Sequence, residues 1–206
     1  PLEDETQFAG ARAWDEPHIG FARGDDPMVA AYKEHVGPFH WTPAEALRLA
    51  RPDLSFEDSQ VAVMAWILPQ TEAVRADHRR EKEMPSRRWC LTRKHGEAIN
   101  ARLRRHVVAE LEAAGIPAAA PVQIAEWSRV EGGRFVYAST WSERHAAHAC
   151  GLGTFGLCDG LITPVGKSVR VGSLVALVDW DATPRPYTSH REWCLHFATG
   201  KCGACI

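Results

Sequence analysis

The chain has 206 residues, with 24 Lys and Arg against 26 Asp and Glu, a formal net charge of −2. That balance leaves no electrostatic footprint for a nucleic-acid duplex or an anionic membrane. A composition of 45% hydrophobic and 24% charged residues is globular rather than disordered. Such a length holds one domain, or one domain with an appendage.

In chain order, residues 1–26 mix polar residues with scattered aromatics and glycine and read as an irregular lead-in. Pro27 to Val36 predicts a short helix closed by Gly37-Pro38. Thr42-Pro43-Ala44-Glu45 is a capping box with Pro at the first helical position, so a second short helix runs to about Leu49. Val61 to Leu68 is the longest apolar run. It is far shorter than the roughly 20 residues of a membrane span and reads as a strand buried on both faces. The charged stretch RADHRREKEM balances bases with acids, as a solvated face does. Ile99, Leu103, Val107 and Leu111 recur every four residues and predict an amphipathic helix stopped by Gly115-Ile116-Pro117. Gly96 sits inside that pattern, and Arg102, Arg104 and Arg105 fall away from or beside the stripe. Ala118 to Pro121 reads as a small-residue linker and Phe135 to Ala138 as a short strand. Ser142 can cap a helix through about Cys150, and Gly151 to Gly156 is a tight loop. Leu161–Thr163 and Val169–Val178 read as two strands joined, hairpin-like, by Pro164-Val165-Gly166-Lys167. The mixture predicts an α/β or α+β domain without Rossmann alternation.

Gly151-Leu152-Gly153-Thr154-Phe155-Gly156 matches G-x-G-x-x-G. A dinucleotide fingerprint needs a strand before the loop and a helix after it. Here a helix precedes and a strand follows, so the glycines serve either a sharp turn or the close approach of a large flat cofactor.

The stretch Ser142 to Gly156 (SERHAAHACGLGTFG), followed by Gly160-Leu161-Ile162-Thr163-Pro164 and by Gly172-Ser173, resembles the epoxyqueuosine reductase family over about residues 137–206. The resemblance implies a corrinoid-binding, nitroreductase-like sheet flanked by helices over residues 1–190. It also implies the start of a ferredoxin-like [4Fe-4S] domain over 191–206, continuing beyond the last residue here. Reductive dehalogenases share that plan. The implied chemistry is a cobalamin-mediated reduction of a small substrate, with electrons from a donor such as ferredoxin or flavodoxin. The family keeps an Asp as acid six residues before the helix Glu. Counting back from Glu143 reaches Tyr137, a phenol that is protonated at neutral pH and able to donate. Trp141, Gly151, Gly153, Thr154, Phe155 and Gly156 are the expected cofactor-binding residues.

Six cysteines are present, and Cys194, Cys202 and Cys205 crowd the last 13 residues. A terminal cluster in a chain whose acidic opening shows no secretory pattern reads as metal binding in a reducing, cytoplasmic setting. Cys202-Gly-Ala-Cys205 looks like the opening of a ferredoxin run. Zinc is the alternative, because His196 with the three thiols makes a Cys3His set. Cys90, Cys150 and Cys158 read as small buried hydrophobes. His145 and His148, three apart on one helix, either share a metal or pack. A non-catalytic electron-transfer or corrinoid-carrying protein, and an FMN enzyme with a structural zinc, are the other readings.

Overall fold

The computed structural model describes residues 10–131 and 137–202. In chain order these form β1 (His18–Arg23), α1 (Pro27–His35), α2 (Pro43–Ala50), β2 (Val61–Pro69), α3 (Glu72–Arg80), α4 (Arg87–Ala113), β3 (Ala118–Ala119), β4 (Arg129–Val130), β5 (Ala138–Ser139), α5 (Glu143–Ala149), β6 (Thr154–Phe155), β7 (Leu161–Ile162), β8 (Val169–Leu177) and α6 (Leu195–Thr199). The fold is mixed α+β around an antiparallel four-stranded sheet of order β1-β2-β8-β3. No helix among the described residues is long and apolar enough to cross a membrane.

The central strand β2 is buried on both faces, as its unbroken apolar run predicts. Its alternate residues serve two cores. Val61, Val63, Ala65 and Ile67 pack with Ala44, Leu47, Ala146 and Ala147 of α2 and α5. Trp66 and Leu68 join Leu174 and Ala176 against Leu103, Val107 and Leu111 of α4. A sheet sandwiched in this way needs apolar side chains at every position, and each fully buried Leu or Ile contributes about 1.5–3 kcal/mol. The capping box of α2 is present: the Thr42 backbone N–H donates to Glu45 Oε2 at 2.8 Å, and the Glu45 N–H to Thr42 Oγ1 at 3.2 Å.

Three local expectations need correction, and a fourth, the acid-balanced charged stretch, is as expected. Residues 18–23 are not irregular but form β1, paired from His18↔Ile67 to Arg23↔Ala62. Gly20 is required there, because a Cβ would stand 2.1 Å from the Cys150 carbonyl oxygen. Ala118-Ala119 is not a linker but an edge strand on β8. Leu161–Ile162 does not form a hairpin with β8. It turns back on β6, and the bridge Thr163↔Gly166 is only a tight turn on the way to β8. The charged stretch after β2 begins within α3, where Glu72 and Asp77 pair with Arg75, Arg79, Arg80 and Arg88. Its basic residues are thus largely neutralised locally. Of the stretch Phe135 to Ala138, Phe135 and Val136 lie outside the described residues, and β5 begins at Ala138.

The largest correction concerns Arg104. Beside the apolar stripe of α4 runs a second stripe at the same spacing, Thr92-Gly96-Asn100-Arg104, and it is the more deeply buried of the two. Arg104, 1% exposed, grips Glu143 through Nε at 2.8 Å and Nη2 at 2.5 Å, and reaches Glu97 through Nη1 at 2.9 Å. Glu143 Oε1 also accepts the Ser173 backbone N–H at 3.1 Å. Burial pushes the Glu143 carboxyl up to about 7, against the opposing pull of Arg104 and the Ser173 N–H. Asn100 accepts from Trp66 Nε1 at 2.9 Å and donates to the Val171 carbonyl at 2.8 Å. Removing one partner of a buried pair strands the other charge, at about 3–5 kcal/mol. Arg104→Leu is therefore expected to cost about that much in urea unfolding. Adding Glu143→Gln, which still accepts the Ser173 N–H, should restore much of the loss. Equal stability of wild type and the single variant would show that the pair is dispensable.

Candidate functional site

The helix–loop–strand order around Gly151–Gly156 is as expected: α5 precedes the loop, and β6 lies inside it. What the glycines admit is the chain itself. A Cβ on Gly153 would stand 2.4 Å from the Ile162 carbonyl oxygen, and one on Gly151, at φ +80°, 2.9 Å from that of Pro184. Thr154 and Phe155 are buried. The Pro-rich segment 183–194 straps the loop down. The Phe155 N–H donates to the His190 carbonyl at 2.6 Å, and the Trp193 N–H to Thr154 Oγ1 at 3.2 Å. The Tyr187 hydroxyl donates to the His148 carbonyl, and Arg185 pairs with Asp26. Trp141 is also buried, its indole N–H donating to Ser173 Oγ at 3.0 Å. From Gly151 to Phe155 the described residues thus offer no open face on which a corrin or flavin ring could lie.

Behind the loop, ring stacks on ring. Tyr32 and His148 Nδ1 share a hydrogen bond of 2.8 Å, and His145 Nδ1 one of 2.8 Å with Ser142 Oγ. His145 and His148 both lie against Phe155, and His40 stacks on Trp141. Burial holds His40 and His148 down to about 4 and His145 to about 3, so all three are neutral at physiological pH. Burial also drives the Tyr32 hydroxyl far above its ordinary value. These rings form a packed aromatic core in which, among the described residues, His40 Nδ1 and Nε2 and His148 Nε2 are buried without a hydrogen-bond partner.

The cysteines tell a different story. Of the three expected to be small buried hydrophobes, Cys150 is buried, whereas Cys90 and Cys158 are exposed. Cys158 lines a hollow of about 150 Å³ together with Cys194, Cys202 and His196, floored by Gly156 and Ile162. Cys205 lies outside the described residues. Lys167 Nζ donates to Cys158 Sγ at 2.8 Å, which draws that thiol below its ordinary value. Burial opposes ionisation at Cys194. The electrostatic pull of nearby backbone N–H groups, at Phe197, Leu157 and His196, and of Lys167 outweighs it and draws the thiol below its ordinary value. Thiols flanked by lysines suit an anionic metal–sulfur centre. Among the described residues no three His, Cys, Asp or Glu side chains are arranged to hold a metal ion. Nothing in the local sequence around Cys158 announced this placement. The signal lay only in its following the glycine loop, whose last glycine forms part of the same hollow.

Two other features stand apart from this hollow. Tyr137 is 88% exposed at the start of β5 and lines neither cavity described here. A wider, open groove of about 440 Å³ between α2, α4 and residues 119–126 is mostly alanine, valine and isoleucine, and contains none of the expected site residues. Compared with family models, curated proteins and solved structures, the chain matches none.

Two measurements check this geometry. Gly153→Ala forces a methyl group against rigid backbone and is expected to destabilise by at least about 1–3 kcal/mol. Gly156→Ala, whose Cβ meets the Ile162 side-chain tip at 3.2 Å and the Gly160 carbonyl oxygen no closer than 3.4 Å, should cost less. Equal effects in thermal or urea unfolding would mean that the loop is open. The histidines set a pH window. Their folded-state values lie below the ordinary 6.5, so unfolded chains gain protons between 6.5 and about 4 while the fold does not, and stability falls as pH falls. Each of His40 and His148 contributes up to about 2 kcal/mol of loss by pH 5. Glu143, raised, works the other way between 4.5 and about 7. The urea midpoint should drop from pH 7 to pH 5, and drop further in Glu143→Gln; a flat profile would refute the neutral histidine core.

Proposed function

We propose that this chain is an iron–sulfur oxidoreductase resembling the epoxyqueuosine reductase family, with its metal centre at the thiol-lined hollow beside β6 and β7. One observation carries this reading. Cys194 and Cys202 line a single hollow, together with His196, Lys167 and Lys201. Soft thiolates holding iron suit single-electron transfer, and N–H groups aimed at the sulfurs tune the potential. Lys167 and Lys201 at the hollow offset the negative charge that a thiolate-bound cluster brings.

The resemblance adds a cobalamin-dependent reduction of a small substrate, fed by ferredoxin or flavodoxin. A cobalt corrin, when bound, supplies a strong two-electron reductant. The packed Gly151–Phe155 loop does not suit that ring. Tyr137, exposed beside β5, is the proton donor that the resemblance assigns; its phenol is open to a substrate arriving from solvent. A zinc site is the second reading, favoured by His196 at the same hollow.

Anaerobic reconstitution with ferrous iron and sulfide, followed by metal and sulfide analysis and an absorption spectrum, tests the proposal. Stoichiometric iron and sulfide are expected, reduced at least twofold in Cys194→Ala and Cys202→Ala. Zinc alone after the same treatment overturns the cluster. Corrin bands that persist after desalting in the presence of cobalamin support the corrinoid, and a flavin band points to FMN instead.

A further inference from the structure

We infer that Cys158 is a ligand of the same centre, so that the body of the domain and its tail hold the cluster jointly. The inference rests on the iron–sulfur reading above. Among the described residues, Cys158 is the one thiol outside the tail that faces the hollow. Cys150 is buried against the Val63 carbonyl, and Cys90 lies on α4.

Its position is built rather than incidental. The turn from Gly156 to Gly160 is closed by two backbone hydrogen bonds of 2.9 Å, Gly156 N–H to the Gly160 carbonyl and Asp159 N–H to the Gly156 carbonyl. Asp159, next to Cys158, is the one non-glycine residue with positive φ among those described, at 54°. A backbone held in that region is costly and persists where its surroundings demand it. The turn aims the thiol outward, where Lys167 meets it at 2.8 Å. Lys167 comes from the turn before β8, so the sulfur is fixed from two sides of the fold.

Single ions and clusters take thiolates at different spacings. Four ligands of one zinc at about 2.3 Å stand about 3.8 Å apart, and no three described side chains are arranged for a single ion. A cubane cluster binds each thiolate through a different iron, so its ligands stand farther apart than those of one zinc, and Cys158, Cys194 and Cys202 line one hollow. Leu157, Leu195 and Phe197, each more than a third exposed, surround these cysteines in sequence and would be shielded by a bound cluster.

The test uses the full chain, reconstituted anaerobically with ferrous iron and sulfide, as wild type, Cys158→Ala, Cys158→Ser and Cys90→Ala. The readouts are iron and sulfide per chain and the EPR spectrum after reduction. The expected result is that Cys158→Ala loses at least half of the bound iron while Cys90→Ala keeps it. Cys158→Ser should retain iron with shifted g values, because a harder oxygen replaces sulfur on one iron. That shift is a signature that loss of packing would not produce. If wild type assembles a cluster and both Cys158 variants match it in iron, sulfide and g values, Cys158 is not a ligand and the reading of the tail stands alone. If wild type takes up no iron and sulfide, both readings fall together.

Discussion

The buried pair of Arg104 and Glu143 is the constraint from which the rest of the molecule is hung. Strand β8 is paired along its whole length on one side by β2, but β3 covers only two residues of its other side. The remaining edge would leave backbone groups unpartnered inside the protein, a costly condition. Helix α4 solves this with side chains. Asn100 donates to the Val171 carbonyl, and Glu143, held by Arg104, accepts the Ser173 N–H. Two residues one turn apart on a single helix therefore seal one edge of the sheet. Burying a guanidinium and a carboxylate there costs desolvation, which bidentate geometry and the Ser173 N–H offset. The arrangement explains why α4 has a deeply buried polar stripe next to its apolar one.

Because Glu143 opens α5, the same pair fixes where that helix starts and therefore where it ends. Its last turn lies against Gly20 of β1, and the chain leaves it into the glycine loop. Each glycine then allows a different part of the chain to come close: Pro184 at Gly151, Ile162 at Gly153. Closeness is the common physical requirement, whether the neighbour is a cofactor or the chain's own backbone. A glycine-rich sequence cannot distinguish the two, since both need an absent Cβ.

The features legible in the sequence were those whose cause is local. The capping box of Thr42 and Glu45, the Pro27 helix start, the doubly buried β2 run and the Gly115 stop of α4 depend on neighbours within a few residues. Those that escaped depend on partners far along the chain. β1 alternates weakly and contains a glycine, because its inner face meets Cys150, about 130 residues on. β3 exists only as a guest of β8. Leu161–Ile162 could have paired with either neighbour, and only the short β6 shows which. Arg104 looked like a surface arginine because arginine is almost never fully buried without a partner, and its partner lay 39 residues away. The T-x3-G-x3-N-x3-R spacing on α4 was the available signal, and an apolar-periodicity reading discards it.

The candidate site follows the same logic one step further. The backbone contacts that close the glycine loop also make it stiff, and a stiff loop is what a metal–thiolate centre requires beneath it. Gly156 and Ile162 floor the hollow, Phe155 is anchored from behind by His145 and His148, and the strap that ties down β6 runs directly into Cys194. Cys202, by contrast, follows a helix of five residues and is exposed. One side of the hollow is thus preorganised, while on the other Cys202 is exposed after the short helix α6. On the proposed iron–sulfur reading, metal binding would stabilise the fold that completes the site, since part of the binding free energy is then spent on ordering the ligands. On that reading the packed glycine loop serves the centre as a platform, with Cys158 and Cys194 presented from the rigid body of the fold.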